Sequence, residues 1–296
     1  MIERIVKAAK KNGLVTTLRL KYPRLFLYLV VKPLTLIRYR DAKQALKGNV
    51  KPTSDHASIL LFTTEKCAST YTTKILGRLA TAHDLFTADV EAYFSVKSID
   101  ANHYFSERAH RLAVFQPTGR YLGPLRNYYP IEDIETYLKV LVLRDPRDVL
   151  TSFYYSKLHS HIVISEDFYR ERQKYKDYDI DRFVIEYLPI VKHRYQTYCD
   201  QLLGTDNLII LPYELLVSDF DAWLDRLLTF LDLGDSDPHL ISELKANEKN
   251  TVADGEKTSH IRNKTPGDYK RKLKPETQAH LTQELQSILK NLDYEL

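Results

Sequence analysis

Val140-Leu141-Val142-Leu143 is an unbroken apolar run that ends on Arg144-Asp145-Pro146. A strand exposed on one face would alternate polar and apolar residues. A run without alternation is a strand covered on both faces, as in a parallel sheet packed between helices. Asp145 then caps a helix and Pro146 suits its first turn. Two other places repeat the pattern. "ILLF" at 59–62 breaks into "TTEKCAST" and then into "TYTTKILGRLATA", whose apolar residues recur at helical spacing. "NLIILPYE" at 207–214 precedes further helical periodicity.

The spacing predicts strands at about 58–63, 137–144 and 207–214. Helices are expected near 69–81, 146–158, 180–203, 219–232, 238–247 and 275–291. "RLAVF" at 111–115 is a further short apolar segment, and 247–275 is polar and rich in turn residues. Strands alternating with helices imply an α/β fold of three layers, with a mostly parallel central sheet flanked by helices. Ligands of such sheets bind at the carboxyl ends of the strands. The 296 residues, 44% of them hydrophobic, suffice for such a core.

Charge divides the chain. Residues 1–51 hold 13 Lys/Arg and 2 Asp/Glu, a net of +11, and the remainder holds 30 and 37, a net of −7. This predicts a basic N-terminal extension over 1–51 and one domain over 52–296. In the extension Ile2, Ile5, Val6 and Ala9 share one helical face, with Lys7, Lys10 and Lys11 elsewhere. Such a segment either lies at the periphery of an anionic membrane or docks as a solvated helix on the body; the second is the simpler reading. "LFLYLVV" stops at Lys32-Pro33, short of a membrane span, and the start does not read as a cleavable signal. The two cysteines, Cys67 and Cys199, exclude a disulfide scaffold and a Cys-only zinc site, and point to the cytoplasm.

Three basic sites follow one another along the chain. Lys66 lies at the end of the first strand, and Ser69 and Thr70 lie where a helix begins, so free N–H groups, hydroxyls and one ammonium favour an anion there. The alternative is a plain Ser/Thr cap beside a surface lysine. An ATP-binding GxxxxGK[ST] loop is excluded, because no glycine is present and Lys66 precedes Cys67. Ala68 avoids left-handed backbone, so the loop is expected to be nearly helical there. At a helix start the Cys67 thiol either has a lowered pKa or simply fills space. Arg144 emerges toward the ligand edge, and Ser152 lies further along the following helix. A structural ion pair with Asp145 or Asp148 suits Arg147 better than Arg144. Arg262, Asn263 and Lys264 precede the Pro266-Gly267 turn.

In this order the three sites resemble the sulfotransferases that use 3′-phosphoadenosine 5′-phosphosulfate (PAPS). "TTEKCASTY" is similar to their 5′-phosphosulfate loop, "VLRDPRDVLTSFY" to their 3′-phosphate motif, and "IRNKTPGDYKRKL" to their C-terminal motif. The resemblance covers 58–273 and implies a P-loop NTPase-like sulfotransferase fold and a sulfonate transfer that needs no metal. It assigns Lys66 to the 5′ side and the leaving oxygen. Cys67 and Ala68 stand where the loop usually has Ser and Gly. It assigns Ser69 and Thr70 to the 5′-phosphate, and Tyr71 to the neighbourhood of the adenine. Arg144, Ser152 and Arg262, with Asn263 and Lys264 beside it, fall to the 3′-phosphate side, and Tyr213 near the nucleotide.

The acceptor implied is a hydroxyl or amine on a carbohydrate, glycolipid or small molecule. Its base is not evident. The family's histidine after a central strand is matched here to Gln116-Pro117-Thr118, none of which is a base. Glu91 is the first candidate, followed by His103, His110, His159 and His161. "GRYLGPLRNYY" at 119–129 is expected to be an acceptor-side loop, with Arg120 and Arg126 facing substrate. The paired aromatics Tyr93-Phe94, Tyr104-Phe105, Tyr128-Tyr129 and Phe153-Tyr154-Tyr155 either line a pocket or, for the most part, fill the core. The competing readings are a P-loop small-molecule kinase, which lacks its glycines and magnesium ligand, and a non-catalytic nucleotide-binding scaffold of the same fold. Nucleic-acid binding ranks lower, because the body is acidic and carries no such motif.

Overall fold

The computed structural model describes residues 21–31, 33, 34, 37, 39–51, 54–160, 166–253 and 265–296. Its centre is a five-stranded sheet in the order β2-β3-β1-β4-β5, with every neighbouring pair parallel. The strands are β1 (Ile59–Thr63), β2 (Phe86–Ala88), β3 (Arg120–Leu125), β4 (Leu138–Val142) and β5 (Leu208–Ile210). Alternate residues of β1 divide between two cores: Leu60 and Phe62 enter one, Ile59 and Leu61 the other. This is the two-sided burial that the unalternated apolar runs call for.

Each face has its own helical layer. Helix α1 (Ser69–Ala82) buries Ile75, Leu76 and Leu79 on one face, beside Trp223, Leu224 and Leu227 of α5 (Phe220–Leu231). The other face is covered by α2 (Val90–Lys97), α3 (Pro146–Tyr155), α4 (Ile180–Gln201), the helix Arg40–Leu46 and the C-terminal helices. Helix starts are capped as their sequences demand. Asp89, Asp145, Asp179 and Asp219 each accept a backbone N–H of the first turn, at 2.8–2.9 Å. The expected helix 275–291 is two helices, Pro275–Glu284 and Gln286–Asn291. Among the described residues no helix is long and apolar enough to cross a membrane.

The expected loop at 119–129 is corrected. Residues 120–125 are strand β3, wholly buried and paired with both β1 and β2. Gly123-Pro124 hid it, since proline cannot donate to a ladder and glycine weakens a strand. The register explains why they are tolerated. Leu60 faces Leu122 while Phe62 faces Leu125, so Gly123 and Pro124 occupy an irregularity opposite Leu61. "RLAVF" falls at the end of the helix Arg108–Val114. Arg120 does not face a substrate. It is 2% exposed and donates to the carbonyls of Ala113, Val114 and Val50.

A Cβ on Gly123 would stand 2.7 Å from Leu61 Cβ and 3.2 Å from the Tyr121 hydroxyl. Gly123→Ala is therefore expected to destabilise the protein by about 1–3 kcal/mol in urea unfolding, as overpacking does. Unchanged stability would show that β1 and β3 do not approach this closely.

Candidate active site

The strands end at a common edge, and the loops that leave it carry the charged residues. Between β1 and α1 the chain turns through two left-handed residues, Lys66 at φ 72° and Ala68 at φ 57°. The nearly helical loop expected at Ala68 is thus corrected. A non-glycine residue in that region costs roughly 1–2 kcal/mol, and such strain persists only where surrounding structure enforces it. Here Cys67, between the two, is fully buried, with its thiol 3.6 Å from the Tyr195 hydroxyl. Burial pushes that thiol up to about 11, which makes Cys67 a space-filler and not a nucleophile. Ala68 is the N-cap of α1 and offers no side-chain cap, so neither Ser69 nor Thr70 plays that part. The Tyr71 N–H donates to the Ala68 carbonyl at 2.9 Å, whereas those of Ser69 and Thr70 come before the helical ladder begins. Ser69 is buried beside them, Thr70 is exposed, and Tyr71 packs its ring against Phe220 at 5.9 Å.

Lys66 is half-buried, and burial, opposed by the Glu65 carboxylate and helped by the Arg144 charge, pulls its ammonium down to about 8. Arg144, directly beyond Leu143 after β4, is 4% exposed. Its guanidinium lies 4.5 Å from the centre of the Tyr213 ring, and its buried Nε has no hydrogen-bond partner among the described residues. The expectation that Arg144 would escape a structural ion pair is corrected: its Nη2 lies 3.2 Å from Asp148 Oδ2. Asp148 itself is fully buried and also accepts the N–H groups of Gly267 and Tyr269, at 2.8 and 2.9 Å. One carboxylate thus joins Arg144 to the C-terminal segment. Arg147 has the structural role expected of it, 2.7 Å from Asp145 and 4.4 Å from the Tyr269 ring centre. Ser152 is half-buried on α3, and Tyr213 is 6% exposed. Arg262, Asn263 and Lys264 lie outside the described residues.

A second charged chain runs along the same edge. Glu91, in the first turn of α2, is 7% exposed. It accepts the Tyr129 hydroxyl at 2.6 Å and the Asn127 N–H at 3.2 Å. Burial raises its pKa, opposed by Arg126 at 3.8 Å. Arg126 also lies 3.9 Å from Glu65, whose other oxygen is 2.5 Å from Arg194 Nη1. Burial alone would raise Glu65; the two arginines overrule it and hold the carboxyl at about 2. The residue leaving the carboxyl end of β3 is Arg126. Gln116-Pro117-Thr118, matched earlier to the family histidine, sit before the strand, where Pro117 accepts the Ser58 N–H at 2.8 Å. That match is corrected too.

Two tyrosines of α4 tie these loops together. The Tyr195 hydroxyl donates to the Arg144 carbonyl at 2.6 Å, and the Tyr198 hydroxyl reaches the carbonyls of Thr63 and Leu125 at 2.9 and 3.0 Å. Neither they nor Arg194 stood out in the sequence, where their partners are 51 to 135 residues away. The clue was present: Arg194 and Tyr198 share a helical face with the apolar Val191, an odd place for a charge. His103 is exposed, and His110 stacks on Tyr104 at 4.0 Å while bonding its carbonyl. The side chain of His159 and all of His161 lie outside the described residues. Of the paired aromatics, Phe94, Phe105, Tyr129 and Phe153 are buried in the core, the first three packing at 4.6–5.5 Å, and their partners are half-buried.

The Glu65 contacts have a pH signature. A carboxyl held at about 2, against an ordinary 4.5, adds stability that is complete above about pH 4.5 and is lost as pH falls toward 2. Glu65→Gln should be less stable than the parent at pH 7, and the gap should narrow between pH 4.5 and 3 in thermal unfolding. A gap that is absent at pH 7, or constant with pH, would contradict the pairing.

Residues 56–293 match the family model described as the sulfotransferase domain. No curated protein sequence matches the chain. Among solved structures, retinol dehydratase in complex with androsterone and the inactive cofactor PAP is 14% identical, with a TM-score of 0.51 over 87% of this chain and 86% of that one. Mouse sulfotransferase SULT7A1 complexed with PAP is 12% identical, with a TM-score of 0.53 over 86% of this chain and 90% of that one. At such identities the likeness is one of fold: a mostly parallel sheet between helical layers.

Proposed function

The chain belongs to the sulfotransferase-domain family, and from that premise we propose that it moves a sulfonate from PAPS to a hydroxyl or amine of a carbohydrate, glycolipid or small-molecule acceptor. The observation that carries the donor reading is a pair of cations. Lys66 and Arg144 leave adjacent strands at one edge, the first half-buried and the second 4% exposed, and burial, together with the Arg144 charge and against the pull of Glu65, lowers the pKa of Lys66. Two cations withdrawn from water at one edge are relieved by an anion, and their separate loops suit a ligand with two anionic ends.

In this reading Lys66, Ser69, Thr70 and the first N–H groups of α1 hold the 5′ end, with Cys67 and Ala68 shaping the turn and Tyr71 toward the adenine. Arg144, Ser152 and the segment carrying Arg262, Asn263 and Lys264 hold the 3′-phosphate, and Tyr213 backs the Arg144 guanidinium. Two features of this chain support the fit: the buried, unpartnered Arg144 Nε, and a left-handed turn that lifts the loop backbone ahead of α1. Residues 52–296 form the catalytic domain and 1–51 an extension to it.

The acceptor oxygen or nitrogen forms a bond to sulfur as the bond from sulfur to the bridging oxygen breaks. The products are the sulfonated acceptor and adenosine 3′,5′-bisphosphate. Lys66 stabilises the charge that develops on the departing oxygen. Glu91 takes the acceptor proton, and its raised pKa makes it a stronger base than an ordinary carboxylate once ionised. Arg126 and Tyr129 fix its orientation.

The test incubates the protein with sulfur-labelled PAPS and panels of sugars, glycolipids and phenolic or amine small molecules, and measures labelled product. Product from one class is the expected result. Donor binding with no transfer to any class would favour the non-catalytic scaffold. With an acceptor in hand, Glu91→Gln should lower kcat by about 10²–10⁴-fold and leave bisphosphate affinity unchanged. Full turnover in that variant would return Glu91 to a structural part.

A further inference from the structure

The described part of the basic extension is held to the body at two places. Phe26 and Leu27 are 6% and 0% exposed, and Arg24 donates from Nε and Nη2 to Glu166 at 3.1 and 2.8 Å. Further along, Ala42 and Ala45 of the helix Arg40–Leu46 are 1% and 0% exposed, in the same core as α2. Between these anchors four of the described large apolar residues are exposed. Leu29 and Leu34 are each 60% exposed, Ile37 is 78% exposed, and Tyr28 is 51% exposed. Among the described residues, large exposed apolar side chains elsewhere are scattered singly or in a sparse pair, at Ile99, Leu112, Ile185, Ile190 and Leu296. A cluster within ten residues is not the ordinary scatter of surface apolar groups.

Charge says what covers it. The patch lies in the segment 1–51 with net charge +11, and Lys21, Arg24, Arg40, Lys43 and Lys47 around it in sequence are all exposed. The rest of the chain is net negative. Apolar side chains flanked by lysine and arginine match one surface in both respects: acyl chains beneath anionic headgroups. A nucleic acid would leave the leucines and isoleucine unmatched, and an apolar protein groove would leave the cations unmatched.

We infer that Tyr28, Leu29, Leu34 and Ile37, with the exposed basic residues on either side, form a membrane-surface docking patch for anionic lipid. Leu29, Leu34 and Ile37 insert between lipids and the cations face the headgroups. The inference is independent of the donor and acceptor readings.

The test is cosedimentation of the full chain with vesicles of phosphatidylcholine alone and with roughly 30% phosphatidylserine. The partition coefficient should be at least about tenfold higher on the anionic vesicles and should fall with added salt. The triple variant Leu29→Ser, Leu34→Ser, Ile37→Ser should lose about tenfold on anionic vesicles. Its thermal unfolding and its bisphosphate response should match the parent, which separates lost docking from lost folding. No binding of the parent to anionic vesicles would overturn the inference. So would equal binding by the triple variant, or a parent dimer in sedimentation that the triple variant abolishes, which would assign the patch to a second copy of the chain.

Discussion

Parallel strands end in carbonyl groups that their neighbours cannot all satisfy, and in this protein the inner face of a single helix answers for three carbonyls at or just beyond strand ends. Tyr198 of α4 reaches the ends of β1 and β3, and Tyr195 reaches the residue beyond β4 while its hydroxyl touches Cys67. Both tyrosines are fully buried, where an unsatisfied carbonyl costs about 1–3 kcal/mol. The left-handed turn at Lys66 and Ala68 rests on this. With Cys67 fixed against Tyr195, the chain has little choice but to turn on either side of it. The geometry of the loop after β1 is therefore set largely from α4, more than a hundred residues away in sequence.

The same helix organises the charges. Arg194 fixes Glu65, which Arg126 links to Glu91, so the loop after β1 and the start of α2 share one ionic chain. On the far side Asp148 holds Arg144 and the backbone of Gly267 and Tyr269 together. Carboxylates here hold cations in position at a desolvated edge, where a loose arginine would swing out to water. The arrangement is consistent with a site that takes a doubly anionic ligand: the cations are placed beforehand, and ligand binding need not order them.

Much of this was legible in the residues. The apolar runs of β1 and β4 required a sheet covered on both faces, and Asp145-Pro146 marked the start of α3. Arg144 stood out because it ends such a run, and Lys66 because it lies in the polar loop that follows one. What escaped had physical causes. Strand β3 was hidden by Gly123-Pro124, which only an irregular register accommodates. Strand β2 spans only Phe86–Ala88, too short for any period to show. Ala68 follows a tertiary demand that overrides its own backbone preference. The pairing of Arg144 with Asp148 is not legible locally, because the second role of Asp148 is as acceptor for a segment 119 to 121 residues on.

The most direct test of the account is calorimetric titration of adenosine 3′,5′-bisphosphate and of AMP into the parent and Arg144→Ala proteins. The two ligands differ only in the 3′-phosphate, so their difference in affinity isolates the Arg144 side of the site. The parent should bind the bisphosphate at least about tenfold more tightly than AMP, some 1.4 kcal/mol, and Arg144→Ala should bind the two alike. Equal affinities in the parent, or a preference that survives in the variant, would contradict it.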